Sequence, residues 1–201
     1  MTTYANGVPE PIVTQLIELL PPQSHVLDIG CGEGRNAIPL ARHGMRVEGW
    51  DKKEADLAIL NLRAAEQKVL IKTVPCDLRD LHIGYDKWGA ILTILCLHFL
   101  TPEQAKERLL RIRSTIIPSG YHAMVVFTDI GSFAKLRNDR FFPKKEEIVE
   151  AYRKAEWEIL TEEVDTVDCL QTTATGVPYQ NERLTLLARK SSKPFAKPVH
   201  R

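Results

Sequence analysis

The residues of this chain best placed to do chemistry lie between Asp28 and Asp51. Asp28-Ile29-Gly30-Cys31-Gly32-Glu33-Gly34 follows a short apolar run, and Asp51 closes the next one. Glycine serves where backbone must turn through positive φ or let a ligand lie against the main chain. A carboxylate about 20 residues beyond the first glycine, at the end of a second strand, can accept from both hydroxyls of a ribose. The spacing is G-x-G-x-G, not the G-x-G-x-x-G that aims helix-start N–H groups at a pyrophosphate. Asp28, two residues ahead of the first glycine, would repel a pyrophosphate and attract an ammonium or a sulfonium. S-adenosylmethionine carries both cations, a ribose and no phosphate. The plain alternative is a glycine turn that serves structure alone.

His98 is the second candidate. It falls at the expected end of a fourth strand, where open α/β sheets bind ligands, and could orient or deprotonate a nucleophile there. The other reading is a histidine within the apolar run Leu97-His98-Phe99-Leu100, satisfied by backbone. Asp77 ends a third apolar run, with Asp80 three residues on as an alternative. Arg137, Arg140, Phe141 and Phe142 could form a lid with a cationic rim, or equally solvated arginines beside a core aromatic pair. Tyr179 could line an acceptor pocket. His82 and His122 read as surface or packing residues.

Positioning these groups takes strands alternating with helices. Ile12 to Leu20 fit one helical face ended by Pro21-Pro22. Strand one spans 26–30 and is followed by a helix over Arg35 to His43, where Pro39 is tolerable only within the first turn. Strand two runs from Arg46 to Asp51, the next helix from Glu54 to Gln67, and strand three from Ile71 to Cys76. Ala90 to His98 is a long apolar run without alternation, as expected of a central parallel strand covered on both faces. Thr101-Pro102-Glu103-Gln104 reads as the cap and first turn of a helix through Ile116. Pro118-Ser119-Gly120 predicts a turn, Tyr121 to Phe127 a fifth strand, and Pro143 to Ala155 a helix. Trp157 to Val167 and Glu182 to Arg189 predict two strands with no helix between them. The expected fold class is therefore α/β, a Rossmann-like doubly wound, mostly parallel sheet with an antiparallel last strand. Residues 1–190 read as a single domain with the N-terminal helix segment (1–22) included, and 191–201 as a disordered tail rich in Lys, Ser and Pro.

Bulk properties narrow the partners. The chain has 201 residues, 44% hydrophobic and 26% charged, with net charge +1. A near-neutral balance gives no broad attraction to nucleic acid or to an anionic membrane, so a small-molecule substrate is expected. The four cysteines, Cys31, Cys76, Cys96 and Cys169, form no C-x-x-C pair and no zinc spacing, so no metal site is expected. With no signal-peptide pattern and no membrane-length apolar run, the expected location is cytoplasmic.

The order of elements, together with VLDIGCGEGRN, VEGWDK, CDLRD and a fourth strand ending LHFL, resembles the class I S-adenosylmethionine-dependent methyltransferases. GCGxGRN, WDK, the turn Pro118-Ser119-Gly120-Tyr121 and the closing LLARK resemble the TehB-like (tellurite-resistance) branch over most of residues 23–190. The resemblance implies that Asp28, Gly30, Cys31, Gly32 and Gly34 line the methionine moiety, with Arg35 and Asn36 at the helix start. It implies Asp51 on the ribose hydroxyls, Lys52 beside the adenine, Asp77 on the adenine amino group and Leu78 offering its backbone N–H. Thr93 would lie where strand four passes the sulfonium. Two positions depart from the family pattern. Trp88-Gly89 stands where an aspartate is usual, and Cys169-Leu170-Gln171-Thr172-Thr173 lacks the family's late-loop histidine and arginine. The reading is thus a methyltransferase acting on a small, soft acceptor such as a thiol or a chalcogen. A non-catalytic sensor that binds the cofactor is the alternative. An NAD(P)-dependent oxidoreductase is a weaker one, since it would call for G-x-G-x-x-G and a Tyr-x-x-x-Lys pair.

Overall fold

Apolar spacing and prolines set the first element. Pro11 opens α1 (Pro11–Leu19), where its missing N–H is no loss, and Ile12, Val13 and Leu16 form its buried face. This is seen in a computed structural model of the chain, which describes residues 7–84 and 87–192. Residues 1–6, and 193–201 of the tail expected from the sequence, lie outside the described residues.

The chain then alternates. β1 (His25–Ile29), α2 (Ala37–Arg42), β2 (Arg46–Asp51), α3 (Glu54–Glu66) and β3 (Ile71–Pro75) build one half. Pro39 falls in the first turn of α2, as its missing N–H requires. The second half consists of β4 (Trp88–Ile94), α4 (Pro102–Thr115), β5 (Ile116–Gly131), α5 (Ser132–Leu136), α6 (Lys145–Arg153), β6 (Glu158–Thr172) and β7 (Pro178–Arg189). Thr101 caps α4 reciprocally: its hydroxyl accepts from the Gln104 N–H at 3.3 Å and its own N–H donates to Gln104 Oε1 at 3.1 Å.

The sheet has seven strands in the order β3-β2-β1-β4-β5-β7-β6. β3, β2, β1, β4 and β5 run parallel, and β7 lies antiparallel between β5 and β6. This is the doubly wound class anticipated from the alternation of elements. Every residue of β4 is buried, because helices cover both faces of the sheet. Leu27, Ile91 and Met124 pack under α4 and α6, while Val26, Leu92 and Val125 pack under α1, α2 and α3. Each such side chain contributes roughly 1.5–3 kcal/mol relative to exposure. Among the described residues no helix is long and apolar enough to cross a membrane.

Three expectations are corrected. The strand expected over Ala90–His98 starts at Trp88 and stops at Ile94; the chain turns at Leu95 (φ 53°), and His98 sits in a short 3-10 turn, Leu97–Phe99. Cys96, Leu97 and His98 are buried like the strand, and an apolar run alone cannot tell turn from strand. Pro118-Ser119-Gly120 is a bulge inside β5, for Ile116 pairs with Trp88 and Tyr121 with the nearby Ala90. Residues 168–181, left outside the two expected strands, form the far end of the β6–β7 hairpin, closed over Thr173 to Val177.

Candidate active site

At the carboxyl ends of β1, β2, β3 and β4 lies a cleft of about 590 Å³, within the range of small-molecule sites. It opens where the strand order reverses, between β1 and β4, the place where open parallel sheets bind ligands.

The glycine turn reaches the cleft through its first residue, Gly30. Gly30, Gly32 and Gly34 have φ of 71°, 51° and 87°, a region that costs other residues roughly 1–2 kcal/mol. Packing adds a second reason at Gly34, where a Cβ would come within 2.1 Å of Leu60 Cδ1. At Gly32 a Cβ would meet no atom within 4 Å. Among the described residues, packing leaves that side of the turn open. Gly30 and Cys31 donate their N–H groups to the Trp50 carbonyl at 2.7 and 3.2 Å, tying the turn to the end of β2. Asp51 adds to this: one carboxylate oxygen accepts from Gly32 N–H at 2.9 Å and the other from Lys53 N–H at 2.9 Å. Each oxygen keeps a lone pair for a ligand hydroxyl.

Asp28 lies beneath the turn, 1% exposed, with Oδ2 unpartnered among the described residues. Burial lifts its pKa to about 7; the Arg35 guanidinium opposes this and Asp51 adds to it. An unmet buried carboxylate oxygen is costly, and a ligand cation would satisfy it. Arg35 also pairs with buried Glu10 at 3.0 Å, and Glu10 takes Arg183 of β7 at 3.2 Å. Asn36 Oδ1 accepts from the Glu10 N–H at 3.1 Å. Arg35 and Asn36 thereby lock α1 and β7 onto the turn.

Gly30, Asp51, Lys52, Asp77, Leu78 and His98 all line the cleft. Hydrogen bonds from Arg79 hold the Asp77 carboxyl down at about 2, against partial desolvation. Asp77 also caps the 3-10 turn Leu78–Asp80, which fixes Leu78 at the cleft. Asp28, Cys31, Gly32, Gly34, Arg35, Asn36 and Thr93 are not part of this lining. The Thr93 side chain is fully buried on β4 and meets His122 Nε2 at 2.9 Å, while His122 Nδ1 meets the Tyr152 hydroxyl. Burial, with help from Arg113, lowers the His122 pKa to about 3, so it packs as a neutral ring.

His98 is 8% exposed and stands among phenylalanines: its ring centroid lies 4.2 Å from Phe99, 5.1 Å from Phe127, 6.0 Å from Phe133 and 6.4 Å from Phe142. Its Nδ1 has no partner among the described residues. Burial, then the Arg137 cation, lowers its pKa to about 4, so the imidazole is neutral near pH 7. Arg137 and Arg140 reach the cleft rim, both paired to Asp139 at 3.3 and 3.0 Å. Phe141 and Phe142 part ways: Phe141 enters the core under α4, and Phe142 joins the cluster of Phe127, Phe133 and Tyr179.

Phe133 lines the cleft without having been singled out from the sequence, and so do Leu170 and Gln171, which were named there only for lacking the family's late-loop histidine and arginine. Phe133 lies on a five-residue helix too short to show a period, and Leu170 and Gln171 reach the cleft only because the hairpin is long. Asn181 was also missed. Fully buried, it accepts from the Ala134 N–H at 3.0 Å and donates to the Thr128 carbonyl at 2.9 Å, so it seats α5 beside the cleft.

The family profile described as tellurite resistance protein TehB matches residues 7–187. The chain belongs to the TehB family. The probable S-adenosyl-L-methionine-dependent methyltransferase TehB of Haemophilus influenzae is 26% identical over 165 residues, covering 82% of this chain and 57% of that protein. The crystal structure of TehB from the same organism superposes with a TM-score of 0.77 at 26% identity, over 94% of this chain and 64% of that one. A Burkholderia thailandensis 1,6-didemethyltoxoflavin-N1-methyltransferase, solved with that compound and S-adenosylhomocysteine, superposes with a TM-score of 0.64 at 25% identity, over 90% and 77% of the two chains. The chain thus spans under two thirds of the length of the TehB relatives it matches. The sheet order, with β7 antiparallel, is that of the class I methyltransferase fold.

Proposed function

We propose that this TehB-family chain is an S-adenosylmethionine-dependent methyltransferase, that residues 1–190 form one cofactor-binding domain, and that it methylates a small, soft acceptor. The observation that carries the reading is the Asp28 oxygen, unmet among the described residues, beside a glycine turn that these residues leave open at Gly32. A buried carboxylate in need of a cation, beside Asp51 with lone pairs free for a ribose, fits that cofactor better than a dinucleotide. When bound, S-adenosylmethionine supplies an activated methyl group on a sulfonium.

The chain's own residues bind, orient and exclude water. Asp28 and the turn Gly30-Cys31-Gly32-Glu33-Gly34 would take the amino-acid end, with Arg35 and Asn36 holding the helix start in place. Asp51 would hold the ribose, Lys52 flank the adenine, and Asp77 and Leu78 receive its edge. Thr93 would act one layer back, bracing β4 through His122. His98 would face the acceptor from the short 3-10 turn that follows β4. A neutral imidazole with a pKa of about 4 is a weak base, which suits a nucleophile that needs little deprotonation. Proximity is then the main contribution, and effective molarity can supply roughly 7–11 kcal/mol of the barrier. The relatives named for methyl transfer support the reaction class. Four free thiols fit a reducing, cytoplasmic setting.

The test is S-adenosylhomocysteine formation from S-adenosylmethionine with thiols, selenite and tellurite offered in turn. Acceptor-dependent product is expected. Tight cofactor binding with no turnover on any acceptor would instead make the protein a cofactor-binding sensor.

A further inference from the structure

The cleft has two ends of different chemistry. Asp51, Asp77 and the glycine turn are polar; the His98 end is aromatic. His98 packs against Phe99 and Phe127, with Phe133 and Phe142 beyond them and Tyr179 6.5 Å from Phe133. Aromatic faces prefer a flat partner with ring centroids roughly 4.5–7 Å apart. This cluster is not sealed. Phe99 is 54% exposed at the cleft and Leu170, from the β6–β7 hairpin, is 66% exposed on the same cleft.

The second observation is polar. His98, more than nine-tenths buried, keeps Nδ1 buried and without a partner among the described residues, and the residue is one of those that line the cleft. Buried polar groups in native proteins are almost always hydrogen-bonded, so a ligand atom is the natural partner. A neutral imidazole offers one N–H and one lone pair, enough for a single thiol or thiolate.

We propose that the aromatic box around His98 is the acceptor subsite and that it takes a flat aromatic thiol, an inference that rests on the methyl-transfer reading above. The arene lies against Phe99 and Phe133, which line the cleft beside His98, while its sulfur meets the His98 ring nitrogen. A hydrated inorganic oxyanion fits this box poorly, since it would lose its water among aromatic side chains that cannot replace those hydrogen bonds. An aryl thiolate is soft, spreads its charge into the ring and needs one hydrogen bond. In the reaction its sulfur lone pair forms the new S–CH3 bond as the sulfonium–CH3 bond breaks. That bond's electron pair remains on the sulfur of S-adenosylhomocysteine, and the thiol proton has already left to water.

The experiment compares thiophenol, 2-mercaptoethanol and selenite as acceptors for the wild type, Phe99→Ala and Phe133→Leu, with S-adenosylhomocysteine affinity measured by calorimetry on each preparation. Thiophenol is the more acidic thiol, so the quantity read is the thiophenol to mercaptoethanol ratio of kcat/KM, compared across variants so that intrinsic reactivity cancels. The expected result is a wild type that prefers thiophenol and turns over selenite least, and a ratio that falls at least tenfold in both variants. Phe99 is half exposed, so its variant folds even if Phe133→Leu does not. An unchanged ratio in Phe99→Ala, or selenite matching thiophenol, overturns the subsite. Inert thiophenol with intact S-adenosylhomocysteine binding overturns the subsite and spares the cofactor reading. Absence of S-adenosylhomocysteine binding overturns both.

Discussion

Asp28 concentrates the cost and the use of the site in one side chain. Burial lifts its folded pKa from 3.8 to about 7, so the folded state holds a proton that the unfolded chain releases. That contribution to stability is fully present below pH 4 and is lost as pH rises through 7. Asp28→Asn removes the loss. At pH 8 the variant is expected to be more stable than wild type by up to about 4 kcal/mol (1.36 kcal/mol per pKa unit), while its S-adenosylhomocysteine affinity falls at least tenfold. Denaturant titration and calorimetry on one preparation read both, and a variant that is less stable or binds as before contradicts the account. In the wild type that affinity is expected to rise about tenfold from pH 6 to pH 8, as Asp28 ionises. His98 titrates with the opposite sign. Its pKa is lowered from 6.5 to about 4, so its contribution is present above pH 6.5 and is lost as pH falls towards 4. His98→Asn should flatten the stability curve over that window by up to about 3 kcal/mol. Identical acid slopes in the two proteins would show that the ring is not held neutral by burial.

At the scale of elements, the glycine turn separates binding from folding. Gly34→Ala drives a Cβ into Leu60 at positive φ, whereas Gly32→Ala adds only the conformational cost, about 1–2 kcal/mol. Gly32→Ala should therefore keep the fold and lose the ligand. A folded Gly32→Ala protein with wild-type S-adenosylhomocysteine affinity would mean that nothing lies against the turn. Asn181→Ala leaves the Ala134 N–H and the Thr128 carbonyl without their partner, at about 1–3 kcal/mol for each buried group. It should also loosen the seat of α5, so turnover of acceptor drops further than cofactor binding does. Equal losses in both would place Asn181 in general stability instead. Strand β2 and helix α4 were legible in the sequence because each carries its own punctuation: Gly44 and Asp51 around the one, Thr101-Pro102 and Gln104 at the start of the other. The end of β4 was not, since Leu95 turns at φ 53° within an unbroken apolar run. The β6–β7 hairpin was read short because Asp168 to Asn181 show no regular alternation of apolar and polar residues, and only pairing across the hairpin makes them strands.

For the whole molecule, the sheet class and the polar half of the cleft were readable because backbone geometry there demands particular residues. Three glycines and two strand-end carboxylates are informative at any distance in space. The aromatic half was not readable: Phe99, Phe127, Phe133 and Phe142 come from four separate segments, and only the folded sheet brings them around His98. The central claim is that this sheet presents its glycine turn and Asp51 to S-adenosylmethionine. The most direct test is thermal unfolding of the full chain with S-adenosylhomocysteine, S-adenosylmethionine and NAD in parallel. A ligand at about 100 times its dissociation constant adds about 2.7 kcal/mol, or roughly 5–10 °C for a chain of this size. The account predicts that rise with both sulfur nucleosides and none with NAD. No rise with either nucleoside, or an equal rise with NAD, would contradict it.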